Sequence, residues 1–267
     1  MNKDSNDHRK ILITGAKGAL GIQLHKLLLN NSQNDIILFE GDVTSKDDIS
    51  NFFKKNRNID VLFHLAAIVP VNKVEKQKLK AIDVNMTGSA FIAQSYAEKN
   101  PNGHLIHVSS SHVYKPSPNP LKEKAVLEPP TFYGLTKLLA ENAVTSICQF
   151  YSLKYSLVRV FSMWDENQPD TFLFGNLKKR LKNHFPEKSF ELYGAKSIRN
   201  FSHTSEVAVY LVKVLEHKIL GPVNVGNKNN MTVAEYAEQL YGEKLKIYPK
   251  GKNNTLIPSL QKFLKNR

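Results

Sequence analysis

The sequence predicts an α/β fold: a doubly wound parallel sheet with helices on both faces, joined to a small C-terminal lobe. Three observations carry this expectation. Short apolar runs alternate with stretches of helical periodicity, which is the pattern of βαβ units. The first run opens directly into T-G-x-x-G-x-x-G, Thr14 to Gly21. The chain has 267 residues, 41% of them apolar, which suits one α/β domain with an appended lobe.

The elements follow in order. Lys10 to Thr14 reads as a strand and Ala19 to Leu29 as an amphipathic helix. The glycines between them allow a tight turn and a close backbone approach. The helix that follows points its free N–H groups and positive dipole end at the same spot, which suits a pyrophosphate. Ile36 to Phe39 is the next strand, followed by Glu40-Gly41-Asp42. Val61 to Ala66 is a strand, and Lys78 to Glu98 is helical with Ile82, Met86, Ala90 and Ala93 on one stripe. His104 to Ser109 is a strand ending in serines, and the proline-rich stretch Lys115 to Pro130 is a loop over the site. Tyr133 to Leu153 is a long helix and Tyr155 to Val160 a strand. Ligands of such sheets sit beyond the C-terminal strand ends, where Gly15, Ala67 and Ser110 all fall.

After Phe161 the pattern loosens. Asp170 to Lys182 reads as a basic helix, Phe190 to Leu192 as a short strand and Ser205 to His217 as an amphipathic helix. Val233 to Tyr241 is a last helix, with Thr232 as its cap and Glu235 three residues on. The expected division is 1–163 for the main domain and 164–267 for the smaller lobe, with part of 197–230 returning to the main sheet. The tail from Pro249 onward is basic and polar and is expected to be partly mobile.

A second constellation is Tyr133-Gly134-Leu135-Thr136-Lys137, a Y-x-x-x-K, preceded by Ser109-Ser110-Ser111. On a helix, Tyr133 and Lys137 share a face. A nearby ammonium favours the phenolate and is expected to lower the tyrosine pKa from near 10 toward neutrality, giving a general acid/base. A serine hydroxyl across the pocket can share the substrate oxygen's proton. Alone, the pair reads equally as a surface contact; with the glycine loop, in this order, it reads as chemistry.

Together the motifs resemble an extended short-chain dehydrogenase/reductase, the group that holds the NAD-dependent sugar epimerases and dehydratases. The resemblance runs from about Lys10 to Tyr241 and implies a Rossmann fold. It implies that the cofactor is held by Gly15, Gly18, Ala19, Leu20 and Gly21 of the loop, and by Asp42 and Val43 of Gly41-Asp42-Val43. Leu65, Ala66 and Ala67 of His64-Leu65-Ala66-Ala67, Asn85 of the V-N-x-x-G run, and Ser109 continue that set, with Tyr133 and Lys137 shared between cofactor and chemistry. Ser110 falls where relatives carry the catalytic Ser or Thr, so Ser110, Tyr133 and Lys137 form the implied catalytic set. Arg199, in Arg199-Asn200-Phe201-Ser202-His203, is implied to meet substrate phosphates; the alternative for it is a buried ion pair. Pro222 to Gly226 resembles the family's later strand.

Departures refine the reading. The segment between the first helix and Asp42 is short, as in the dTDP-sugar reductases of the family. Glu40 can accept from the adenosine ribose hydroxyls and repel a 2′-phosphate, which favours NAD over NADP; the alternative is a loop glutamate. Ser111 and His112 stand where dehydratases carry an acidic pair, which argues against dehydration and leaves both as candidate substrate contacts; the alternative for His112 is a polar loop histidine. Met163-Trp164-Asp165 replaces the family's Y-G-P, and His203 reads as a supporting or core histidine. The expected activity is an epimerase or reductase acting on a sugar, nucleotide-linked, with NAD or NADP. The rival is a non-catalytic cofactor-binding subunit, against which the intact Ser110, Tyr133 and Lys137 argue.

Composition excludes other classes. No run approaches the ~18 apolar residues of a membrane span, and the start of the chain, Met1 to Arg9, is polar and charged, without an apolar leader. The single cysteine, Cys148, lies on an apolar helix face and reads as core. No Cys/His/acid group has metal-ligand spacing. The net charge of +13 comes from dispersed lysines, which reads as solvated surface and a field that attracts anionic ligands, not as a nucleic-acid site. A cytoplasmic homodimer is the expected setting, the apolar faces of 78–98 and 133–153 permitting a four-helix interface.

Overall fold

A computed structural model describes residues 8–186 and 188–265. The polar start read from the sequence lies outside the described residues except at 8 and 9.

The chain builds β1 (Arg9–Thr14), α1 (Ala19–Leu29), β2 (Asn34–Phe39), α2 (Lys46–Lys55), β3 (Val61–His64), α3 (Val71–Lys76), α4 (Lys78–Ile82), α5 (Gly88–Lys99), β4 (His104–Ser110), α6 (Phe132–Phe150) and β5 (Lys154–Val160). It continues through β6 (Met163–Trp164), α7 (Leu173–Lys182), β7 (Phe190–Tyr193), β8 (Ile198–Asn200), β9 (Ser202–His203) and α8 (Thr204–Glu216). It ends with β10 (Gly221–Val225), β11 (Asn230–Thr232), α9 (Val233–Tyr241), β12 (Ile247–Lys250) and α10 (Gln261–Lys265). Six strands form one parallel sheet in the order β10-β5-β4-β3-β1-β2. The chain enters at β1, goes outward to β2 and returns to β3, so the strand order reverses beside β1 and opens a crevice at the carboxyl ends of β1, β3 and β4.

Strand alternation sends side chains to two layers. Ile11, Ile13 and Phe63 pack with Leu20 and Leu24 of α1 and Val207 and Leu211 of α8. Leu12, Leu62 and Leu105 face Phe53 of α2, Tyr96 of α5 and Val144 of α6. Cys148 lies in this second layer, and burial pushes its thiol up to about 12. A separate cluster of Phe174, Leu177, Phe190, Leu192, Tyr236 and Ala237 holds the C-terminal elements together. The Thr232–Glu235 capping box is formed, with both reciprocal bonds present. Among the described residues no helix is long and apolar enough to cross a membrane.

The short elements α3, β6, β8, β9, β11 and β12 lie outside the sequence expectation, and three further differences have a traceable local cause. Helix α2 escapes the periodicity because only Ile49 and Phe53 of its ten residues are buried; its local signal is Ser45, whose hydroxyl accepts from the Asp48 N–H at 3.1 Å. The stretch expected as one helix over 78–98 is interrupted by a π-turn, Asp83–Thr87, which turns Asn85 inward. The tail expected to be partly mobile is packed: Pro249 lies in β12, Leu256, Ile257 and Phe263 are buried, and Leu256 and Pro258 bridge Arg199 and Leu121. Three apolar side chains anchor a stretch whose average composition is polar.

Candidate active site

A cleft of about 1110 Å³ opens at the carboxyl ends of β1, β3 and β4. It brings together Gly15, Gly18, Ala19, Leu20 and Gly21, then Leu65, Ala66 and Ala67, then Ser109, Ser110, Ser111 and His112, with Tyr133, Lys137 and Arg199.

The glycine loop is shaped for close approach. Gly15 sits at φ +70°, and a Cβ there would stand 2.7 Å from the Ala66 nitrogen. A Cβ on Gly21 would meet Ala16 Cα at 2.7 Å, so α1 lies directly against the loop. Gly18 caps α1 without a side-chain acceptor, and the first-turn residues Ala19, Leu20 and Gly21 line the cleft with it. That cradle fits a dinucleotide pyrophosphate.

The chemistry lies on the facing wall. Tyr133 and Lys137 are buried on the first turns of α6, which is capped by Thr131 accepting from the Gly134 N–H at 3.1 Å. The Lys137 ammonium donates to the Val108 carbonyl at 2.8 Å, and burial holds its pKa down to about 8 against the opposing pull of Glu141. Glu141, one turn further along α6, is held by Arg159 of β5 at 2.6 Å in a fully buried pair. The expected lowering of the Tyr133 pKa is corrected here: burial dominates and pushes the phenol up to about 12, with the Ser110 hydroxyl bond opposing it. The Lys137 ammonium is committed to Val108, and desolvation of the phenolate is the larger effect on the phenol. Tyr133 is thus a neutral phenol, poised as a proton donor.

The His112 ring stands edge-on to Tyr133 at 5.5 Å with Nδ1 buried and unpartnered; burial and the Arg199 charge hold its pKa down to about 4, so it is neutral. The Ser109 hydroxyl is also buried without a partner among the described residues. Among the described residues Arg199 has no carboxylate partner, which corrects the ion-pair alternative. Its guanidinium donates to the carbonyls of Ile198 and Asn254 and to the Asn254 side chain. Burial lowers its pKa to about 10, leaving a cation faced into the cleft.

Four expected cofactor residues do not line the cleft. Glu40 is exposed at the end of β2 and pairs with Lys17 of the glycine loop at 3.2 Å. Asp42 accepts from the Thr44 N–H and hydroxyl, both at 2.8 Å, in a turn leading to α2. Val43 is buried against Gly88. Asn85 is committed to Ile68 and Thr136.

An aromatic wall, absent from the sequence expectation, completes the cleft. Trp164 packs against Phe174 at 5.1 Å, and Phe201 stacks on Tyr236 at 3.9 Å, all four lining the cleft. Trp164 carried a signal in the departure at 163–165 and Phe201 in the run that starts at Arg199, while Phe174 and Tyr236 carried none. Asp165, Glu166 and His203 gather within 4.8 Å of one another. Nδ1 of His203 accepts from the Ser205 N–H at 3.2 Å, which places the proton on Nε2, directed at Glu166 2.9 Å away. The group is therefore a hydrogen-bonded cap of α8.

The chain is 27% identical over 221 residues to dTDP-4-dehydrorhamnose reductase of Aggregatibacter actinomycetemcomitans, spanning 79% of this chain and 69% of that protein. In fold it is similar to dTDP-4-dehydrorhamnose reductase from Bacillus anthracis in complex with NADP, with TM-score 0.83, 21% identity, and coverage of 97% and 92% of the two chains. It is also similar to UDP-glucuronic acid 4-epimerase from Bacillus cereus in complex with UDP-glucuronic acid and NAD, with TM-score 0.78, 22% identity, and coverage of 95% and 91%. Residues 11–226, most of the chain and all of the main sheet from Ile11 to Val225, match one family throughout, and the chain belongs to the NAD dependent epimerase/dehydratase family.

Proposed function

We propose that this chain binds NAD, or alternatively NADP, in the cleft and transfers hydride to or from a carbon of a nucleotide-linked sugar, as an epimerase or reductase. The observation that carries the reading is the convergence of the glycine cradle with Ser110, Tyr133 and Lys137 in one cleft. Relatives named for dTDP- and UDP-linked sugars support the substrate class.

NAD, when bound, supplies the hydride acceptor and donor. The protein's residues handle the proton and the charge. Tyr133 Oη, neutral and hydrogen-bonded to Ser110, donates its proton to a carbonyl oxygen that is being reduced and recovers it when the alcohol is oxidised. The Ser110 hydroxyl bonds the same oxygen where charge develops. Lys137 keeps an ammonium at neutral pH on the same helix face and stabilises the phenolate left behind. Arg199, a cation held among the described residues by neutral carbonyl and amide groups, meets the substrate's phosphate charge. The aromatic wall of Trp164, Phe174, Phe201 and Tyr236 supplies an apolar face for the remainder of the substrate.

The test is mass spectrometry of nucleotides released on denaturing fresh protein, followed by NADH and NADPH titration and turnover on a panel of UDP- and dTDP-linked sugars. Retained NAD supports an epimerase cycle, and a freely exchanging dinucleotide supports a reductase. Tyr133→Phe keeps dinucleotide binding and loses turnover by roughly 10²–10⁴-fold. Failure of both dinucleotides to bind, or full turnover in Tyr133→Phe, would refute the reading.

A further inference from the structure

Beneath the cleft, on the α5 and α6 side of the sheet, a set of buried polar groups has its hydrogen-bond directions fixed by chemistry alone. Ser89 Oγ lies 2.6 Å from the Asn85 carbonyl, which only accepts, so the one serine proton is committed there. His64 Nε2 lies 2.9 Å from Ser89 Oγ and must therefore carry the donated hydrogen. His64 is enclosed in the sheet, stacked on His107 at 5.4 Å and close to the Lys137 charge; burial first and that charge second keep it neutral, with its pKa held down to about 3. A neutral imidazole protonated at Nε2 accepts at Nδ1, so the Thr14 hydroxyl, 2.7 Å away, is the donor. Thr14 Oγ1 in turn accepts from the Ala66 N–H at 3.3 Å.

The chain continues through the π-turn. Asn85 Oδ1 accepts from the Ile68 N–H at 2.7 Å, and its Nδ2 donates to the Ile68 carbonyl and to Thr136 Oγ1, both at 3.0 Å. Thr136 Oγ1 donates to the Tyr133 carbonyl at 2.8 Å. Every hydroxyl proton between Thr14 and Thr136 is thus assigned, and no member can reverse without leaving a buried donor or acceptor unpaired. Thr14 directly precedes Gly15 of the cradle. Thr136 lies between Tyr133 and Lys137.

We propose that His64, locked as the Nε2–H tautomer, is a positioning residue that ties the glycine cradle to the helix carrying Tyr133 and Lys137. This rests on the reading of the cleft as a dinucleotide site. The single imidazole spans from β1 to α5, and the π-turn presents both the carbonyl and the side chain of Asn85 to complete the connection to α6. A hydroxyl deleted at one end of this chain is felt at the other, because the groups between have one consistent arrangement and no spare partner.

Two ligand-free measurements test it. In ¹⁵N-histidine-labelled protein, with His64 assigned by His64→Gln, the ring is expected to show the Nε2–H tautomer and no titration between about pH 5 and pH 8. In ¹³C-tyrosine-labelled protein, with the Tyr133 Cζ signal assigned by Tyr133→Phe, Thr14→Val and Ser89→Ala are each expected to move that signal. Thr14→Ser, which keeps the hydroxyl, restores it. A packing role alone would lower the melting temperature in Thr14→Val without moving Tyr133. In NADH titration each single substitution weakens binding roughly three- to tenfold, and the double variant is no weaker than the worse single, since either break opens the same chain. An Nδ1–H tautomer, an unmoved Tyr133 signal in Thr14→Val, or additive losses in the double variant would each overturn the proposal. If the unmodified protein binds neither NADH nor NADPH, the cofactor reading fails while the two resonance measurements still decide the coupling.

Discussion

Lys137→Met separates what this residue does for chemistry from what it does to stability. The Lys137 side chain is 3% exposed, and burial lowers its pKa from 10.5 to about 8. At about 1.4 kcal/mol per tenfold change in the proton equilibrium, that fall corresponds to a destabilisation of about 3 kcal/mol. The sign follows from proton linkage. Below about pH 8 both folded and unfolded chains carry the proton, so the folded state bears the whole cost of a buried ammonium. As pH rises from about 8 toward 10.5 only the unfolded chain still binds it, so folding becomes more favourable. Methionine keeps the unbranched stem and removes the charge, but it leaves the Val108 carbonyl without its 2.8 Å donor, a loss of about 1 kcal/mol. The variant is therefore expected to be about 2 kcal/mol more stable at pH 7, raising the melting temperature by about 4–8 °C for a chain of this size. The assay is thermal or urea unfolding of dinucleotide-free protein at pH 7 and pH 10. The advantage of the variant should be present at pH 7 and largely gone at pH 10, while its turnover is lost. A variant that melts below the unmodified protein at pH 7, or whose advantage is the same at both pH values, would refute the reasoning. A residue that destabilises the fold is retained where function needs it.

Further outcomes follow from the same geometry. Gly21→Ala drives a Cβ to 2.7 Å from Ala16 Cα, backbone that cannot yield, so it should cost about 1–3 kcal/mol of stability and weaken NADH binding in the same titration. Gly18→Ala meets only the Gly15 carbonyl, at 3.4 Å; it should melt normally and lose NADH affinity alone, since its methyl intrudes on the cradle and not on the fold. Arg159→Met leaves Glu141 buried without its 2.6 Å partner and should destabilise by about 3–5 kcal/mol in urea unfolding, with partial recovery when Glu141→Met is added. Glu40→Gln releases Lys17 from its 3.2 Å pair at the mouth of the loop; affinity for NADPH relative to NADH should rise severalfold at low salt and less at high salt, and an unchanged ratio would place Glu40 outside cofactor choice.

Much of the site was legible because its motifs are local. T-G-x-x-G-x-x-G needs only a strand, a turn and a helix start that are contiguous in the chain, and Y-x-x-x-K needs only one helical turn. The residues that escaped are those whose roles depend on partners far along the chain. Asn85 reads as a cofactor contact until the π-turn directs it to Ile68 and Thr136, the latter 51 residues away. Arg199 reads as a phosphate contact with a buried ion pair as its alternative, and only the tail, which places Asn254 against it, decides what holds the guanidinium.

The sequence by itself determined the six strands of the main sheet, helices α1, α6, α8 and α9, the cradle beside α1 and the shared face of Tyr133 and Lys137, because backbone turns and helical periods are set over a few residues. Only the tertiary structure decided the electrostatics. Tyr133 was expected to be acidified by Lys137, but the packed cleft strips water from the phenol and turns the ammonium to Val108, so the pKa moves upward. Desolvation is a property of everything that surrounds a group, and no spacing along the chain encodes it.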